Sequence, residues 1–159
     1  MRGIIAFLAF AATVPLANWM IGNVGMCVPD GPCLIPVGFG LMAPSGVLVI
    51  GLALVLRDAV HTILGWKSAA LAILVGAALS WTFAAPGLVV ASVAAFVIGE
   101  ALDLAVFEKI RRQSVALAVL ASGAVGAAAD SAVFLWLAFG SLDYVAGQVL
   151  GKLYATAAV

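Results

Sequence analysis

At 159 residues the chain is one domain by length, and 66% apolar against 9% charged residues takes it out of the soluble class. Soluble domains hold about 45–50% apolar and about 25% charged residues, and a mean hydropathy of +1.28 leaves no aqueous fold able to bury so much apolar side chain. Seven basic residues balance seven acidic ones without a basic tract, which excludes a nucleic-acid surface.

A bilayer crossing takes about 20 residues, so the length predicts about five to seven transmembrane helices in an all-α, polytopic bundle. A β-barrel would alternate apolar and polar residues, and these runs do not. Taken in order, the first span covers about 3–21. Arg2 before an apolar run also has the shape of a signal peptide. The run is long for one, however, and Asn18-Trp19 replaces the small-residue cleavage pattern. Residues 22–40 read as an outer loop, punctuated by Pro29, Asp30, Gly31, Pro32 and Pro36. Its apolar members would also suit a re-entrant element lining a cavity. The second span, 41–64, carries Arg57, Asp58 and His61 near its end. Gly65-Trp66-Lys67-Ser68 forms a turn, and the third span, 69–85, stops at Pro86-Gly87. The fourth is 88–107, followed by the polar loop Glu108-Lys109-Ile110-Arg111-Arg112-Gln113. The fifth is 114–139 and the sixth 144–159.

With the N-terminus inside, Arg2, Lys67, Lys109, Arg111 and Arg112 all fall in inner loops, while the outer loops hold no Lys or Arg. The positive-inside rule then places both termini in the cytoplasm.

Three carboxylates interrupt these spans: Glu100, Asp103 and Asp130. Each costs roughly 2.5–3.5 kcal/mol at a helix centre, so each must face a cavity, a partner charge or a ligand. Glu100 and Asp103, three apart, share a helix face. They line a site, or Lys109 or Arg111 reaches back to neutralise them. Asp130 belongs to a site, or is held protonated, or pairs with Lys152 for folding alone. Arg57, Asp58 and His61 form a cluster or an interfacial patch whose arginine snorkels to headgroups. Gln148 and Lys152 share one face of the last span, where Gly147-x-x-x-Gly151 is a close-packing pattern. Asn18 binds a ligand or caps its helix. Cys27 and Cys33 form a small-loop disulfide on an oxidising face or remain inert thiols. One histidine and two cysteines build no zinc site, and no nucleophile elbow, metalloprotease motif or phosphate loop is present. Neither an enzyme nor a cofactor is expected.

The run Ile98-Gly99-Glu100-Ala101-Leu102-Asp103-Leu104-Ala105-Val106-Phe107, followed by basic residues, resembles a signature of the VUT family, the queuosine precursor transporters. Other blocks agree in order: Leu16-Ala17-Asn18-Trp19, Arg57-Asp58 before Gly65, Ser122 through Asp130-Ser131 and Phe134, then Gly147-Gln148 with Lys152. The resemblance covers most of the chain, although the loops are trimmed and the Cys27…Cys33 loop departs from the pattern. It implies a six-helix inner-membrane protein that imports a 7-deazaguanine base such as preQ0 or preQ1, with Asn18, Asp58, Glu100, Asp103, Asp130, Gln148 and Lys152 as the substrate site. The chemistry is compatible. A carboxylate accepts from the adjacent N1–H and amine of a guanine-like base. Lys152, Gln148 or Asn18 suits its O6, and Phe96, Phe107, Phe134 or Trp81 offers a stacking face. The expected partners are a purine-like small molecule, the lipid bilayer and, in one reading, a second copy in a homodimer. A mid-span aspartate able to titrate would suit proton coupling. Two alternatives stand beside this reading: a substrate-binding subunit of an energy-coupled importer, and a structural membrane protein whose polar residues serve packing alone.

Overall fold

The computed structural model describes residues 2–157 apart from Phe83 and Arg111. Six helices and one small sheet follow in chain order: α1 (Arg2–Asn23), β1 (Met26–Cys27), β2 (Cys33–Gly38), β3 (Leu41–Pro44), α2 (Val47–Leu64), α3 (Trp66–Ser80), α4 (Pro86–Ile110), α5 (Val115–Phe139) and α6 (Val145–Ala157). By length and composition, α1, α2, α4 and α5 can cross a bilayer. The 15 residues of α3 and 13 of α6 reach about 22 and 20 Å at 1.5 Å per residue, against a hydrocarbon core of about 30 Å.

The segment 22–40 is not the loop the sequence suggests, and the fold is not purely helical. The strands form an antiparallel sheet of order β1-β2-β3, and β3 occupies the start of the expected second span, so α2 begins only at Val47. The physical reason is the backbone. Proline and glycine break the helix, but the chain here is too apolar to leave its N–H and C=O groups unpaired, and a sheet pairs them. Pro36 sits where the β2–β3 register shifts, an irregularity at which a central strand tolerates a missing donor. Asp30 and Phe39 turn the two hairpins with φ of 53° each. Cys27 and Cys33 are register partners and form a disulfide. The sheet is tied to α1, because Ser45 Oγ donates to Met20 O at 2.6 Å, and Ser45 N–H bonds Cys33 O at 2.9 Å. Closing so short a loop constrains the unfolded chain by about 2 kcal/mol in the chain-entropy model. Reducing the purified protein should therefore lower its thermal midpoint by several degrees, and the Cys27→Ser, Cys33→Ser double variant should show the same midpoint with and without reductant.

Pro86 does not stop a helix. It opens α4, where its missing N–H removes a donor that would be unpaired anyway. Within α1, Pro15 leaves the Ala11 carbonyl without its helical donor. Gly76 of α3 packs against that carbonyl; a Cβ there would lie 2.9 Å from Ala11 O. Ser114 caps α5 by accepting from Leu117 N, and Gly140 ends it at φ 68°.

Helices α1, α2 and α3 pack around Phe10, Ala53, Val60, Ala69 and Ala72. Helices α4 and α5 close on each other and on Ile21 of α1 through Ala91, Ala95, Phe134 and Leu135. Val37, Ala43 and Val47 form a third cluster beneath the sheet, against which α6 packs. Leu8, Leu71, Leu74 and Leu120 face outward, while Asn18, Ser122, Ser131, Gln148 and Lys152 are buried. An apolar exterior around a polar interior is what a bilayer selects.

Candidate functional site

Two helices set the geometry. On α4, Gly99 and Asp103 are four apart; on α5, Gly126 and Asp130 repeat the spacing. A Cβ at Gly99 would lie 2.8 Å from Asp130 Cβ, and one at Gly126 would lie 3.0 Å from Asp103 Cβ. Each glycine thus receives the other helix's aspartate. The missing side chains let the backbones close, and the two carboxylates are held along one seam.

Asp130 has the clearest electrostatics. Lys152 Nζ of α6 donates to Asp130 Oδ2 at 2.5 Å and to Ser131 Oγ at 2.9 Å, and Lys152 is only 2% exposed. Asp130 therefore pairs with Lys152, and it also borders the cavities described below. Glu100 pairs with Arg57 of α2. Arg57 also lies over the Phe96 ring, 5.9 Å from its centroid, so it does not snorkel away. His61 is exposed and takes no part. The side chain of Asp58 lies outside the described residues, as does Arg111.

Asn18 does not cap α1, which continues to Asn23. It is 3% exposed, and its Oδ1 accepts from Ser92 Oγ of α4 at 3.1 Å. Gln148 is equally buried. Among the described residues, Asn18 Nδ2, Gln148 Oε1 and Asp103 Oδ1 are buried without a hydrogen-bond partner. Buried amide and carboxyl atoms are usually satisfied, so three unsatisfied ones around one region need an explanation.

That region is hollow. A larger chamber, lined by more residues and about 70 Å³ in volume, is bordered by Asn18, Ser92, Asp130, Gln148 and Lys152 together with apolar walls that include Phe10, Phe96 and Phe134. A smaller one, lined by fewer residues though also about 70 Å³ in volume, is bordered by Arg57, Glu100, Asp103 and Asp130. Leu54, Phe96 and Asp130 border both, so the chambers adjoin. Six of the seven residues expected at the site therefore line these two chambers: Asn18, Gln148, Lys152 and Asp130 the larger, Glu100, Asp103 and again Asp130 the smaller. Of the stacking candidates, Phe96 and Phe134 face the larger chamber. Trp81 instead lines a separate outward groove, and Phe107 lines neither chamber. Sequence reasoning had not placed Ser92, Phe10 or Arg57 in the site. A signal for Ser92 existed, since Ser92, Phe96, Gly99, Glu100 and Asp103 fall on one face of α4 at helical spacing.

The stretch from residue 80 to 159 matches the family model described as "Putative vitamin uptake transporter". The chain belongs to this family. The match takes in α4, α5 and α6, and with them Glu100, Asp103, Asp130, Gln148 and Lys152. As a VUT-family member it is a multi-pass membrane protein of a transporter family that takes a small-molecule substrate. No curated protein and no solved structure matches it. Asn18 and Asp58 precede the matched stretch, and Asn18 borders the larger chamber.

Proposed function

We propose that this VUT-family chain imports a queuosine precursor, a 7-deazaguanine base such as preQ0 or preQ1, across the inner membrane into the cytoplasm. The observation that carries the reading is the pair of buried amides, Asn18 and Gln148, whose unbonded Nδ2 and Oε1 atoms border one chamber beside the Asp130–Lys152 pair. A purine-like base brings a carbonyl for the first and an N–H for the second. The phenyl rings of Phe10, Phe96 and Phe134 supply apolar faces, and base–aromatic stacking contributes about 1–3 kcal/mol. Glu100, Asp103, Asp130 and Lys152 complete the polar lining, and Asp58 is carried by the resemblance alone.

In this reading residues 1–159 form a single transporter domain with six spans, the short α3 and α6 included, and both termini in the cytoplasm. Two observations support that orientation. The basic residues Lys67, Lys109 and Arg112 lie at the ends of helices remote in sequence from the disulfide sheet, and a disulfide belongs on an oxidising face. A homodimer is compatible with the exposed apolar helix faces.

The test is cellular. In cells unable to make the precursor and fed preQ0 or preQ1, tRNA should contain queuosine only when this chain is expressed, and tRNA lacking queuosine in its presence contradicts the proposal. In the same assay Glu100→Gln should reduce queuosine to background while the protein still inserts, because the amide cannot hold Arg57 as a carboxylate does. Wild-type queuosine in that variant would remove Glu100 from the site.

A further inference from the structure

Both chambers lie between two blocks of the molecule. One is the α4–α5 hairpin, whose helices close on each other far more extensively than on any other element. The other is α1, α2 and α3, joined by an apolar cluster to which no described residue of α4 or α5 contributes. Ser92, Val93 and Phe96 of the hairpin wall one side of the larger chamber. Val93 also borders the outward groove of Trp81, so between α3 and α4 that wall is one side chain thick.

The hairpin is held differently at its two ends. Its chain connections, 81–85 and 140–144, both lie at the end nearer the sheet. There Ile21 of α1 enters the cluster of Ala91, Ala95, Phe134 and Leu135, and Ser92 Oγ donates to Asn18 Oδ1. The opposite end is the turn between α4 and α5. No cluster of buried apolar residues joins that end to α1–α3 among the described residues. At mid-depth two ion pairs tie the hairpin down: Lys152–Asp130 on the α6 side and Arg57–Glu100 on the α2 side. The side chains of the first pair are 2% and 19% exposed, those of the second 14% and 34%. Parting a buried pair strands charge away from water, whereas a partly exposed pair regains solvent as it opens. Arg57–Glu100 is therefore the tie that releases more easily.

We propose that the α4–α5 hairpin moves as one body, pivoting on the Ile21 cluster and the Lys152–Asp130 pair, and that Arg57–Glu100 is the latch whose release swings the turn end away from α2. The reciprocal seating of Gly99 and Gly126 against Asp130 and Asp103 keeps the hairpin intact as it moves. The smaller chamber lies between α2 and the hairpin and opens toward the face opposite the sheet. This rests on the function proposed above for its purpose, which is to give the ligand an exit on the cytoplasmic side. Rigid-body movement of one packed unit about a fixed site is an established way to gate such a path.

The test places spin labels on cysteine pairs in the full chain in nanodiscs, with the Cys27–Cys33 disulfide kept oxidised and no ligand added. Ile63 with Ala105 spans α2 and α4 at the turn end, and Leu48 with Val90 spans the same helices at the sheet end. Ala105 with Leu117 lies within the hairpin, and all five positions are exposed. In Glu100→Gln, and again in Arg57→Gln, the Ile63–Ala105 distance should lengthen by several ångströms while the other two pairs keep their wild-type distances. An unchanged Ile63–Ala105 distance in either variant would show that the ion pair is no latch. Lengthening of all three pairs would show general loosening in place of a hinged movement. Each of these results overturns the proposal, and neither touches the import of a base, which the tRNA assay reads separately.

Discussion

Lys152→Met should abolish uptake and destabilise the protein by about 3–5 kcal/mol, the cost of leaving a charge buried without its partner. Lys152 is the largest fully buried side chain among the described residues, and both Asp130 and Ser131 accept from its ammonium. Removing it strands the Asp130 carboxylate at the α4–α5 seam without its cation. Combining Lys152→Met with Asp130→Asn removes both charges and should recover most of the lost stability, but not transport. Thermal unfolding in nanodiscs and uptake into proteoliposomes separate the two effects. A single variant as stable as the wild type would show that the pair does not organise the bundle, and a transporting double variant would show that it does not serve the site.

Gly147→Ala should be more damaging than its single methyl group suggests. A Cβ at that position would fall 2.0 Å from Met42 O and 2.8 Å from Met42 C. Both are backbone atoms of β3, which the disulfide-tied sheet and the Ser45 bonds hold in place. Neither can rotate away as a side-chain end would, so the loss should reach or exceed the upper end of the roughly 1–3 kcal/mol typical of overpacking. The neighbouring Gln148 would move with the displaced helix. Gly22→Ala and Gly123→Ala serve as controls, since a Cβ at either meets nothing within 4 Å. The expected order of thermal midpoints is wild type and controls together, with Gly147→Ala well below. A Gly147→Ala midpoint equal to the controls would mean that α6 does not rest on the sheet.

The helices were legible in the sequence because lipid imposes a simple rule, one long apolar run per crossing. The expected spans match α1, α2, α4 and α5 apart from their ends, whereas α3 and α6 are shorter than a crossing. The sheet was not legible. Residues 22–44 carry helix-breaking punctuation, and punctuation marks where a helix stops without saying what replaces it. The disulfide remained one of two readings, because cysteine spacing does not fix the Cys27–Cys33 register that places the thiols opposite each other. The carboxylates stood out individually by their cost in lipid, but their partners did not. Arg57 and Glu100 are 43 residues apart, and only the α2–α4 arrangement brings them together. The repeated Gly-x-x-x-Asp spacing was present in the chain, yet its meaning depends on α4 and α5 lying against each other. Asn18 was readable as polar and ambiguous in role, since a residue near the end of an apolar run looks like a cap until the helix is seen to continue past it.

In the proposed function a heterocycle sits between the two buried amides and passes through the chain unaided. The most direct measurement is accumulation of labelled preQ0 and preQ1 by proteoliposomes containing the purified protein alone, beside matched vesicles carrying Asn18→Leu or Gln148→Leu. Wild-type vesicles should fill well above protein-free ones, and each leucine variant, inserted and folded, should remain near the protein-free level. Wild-type vesicles that take up no base would point to a binding subunit awaiting an energising partner. Full uptake by both variants would mean that the amides hold no ligand.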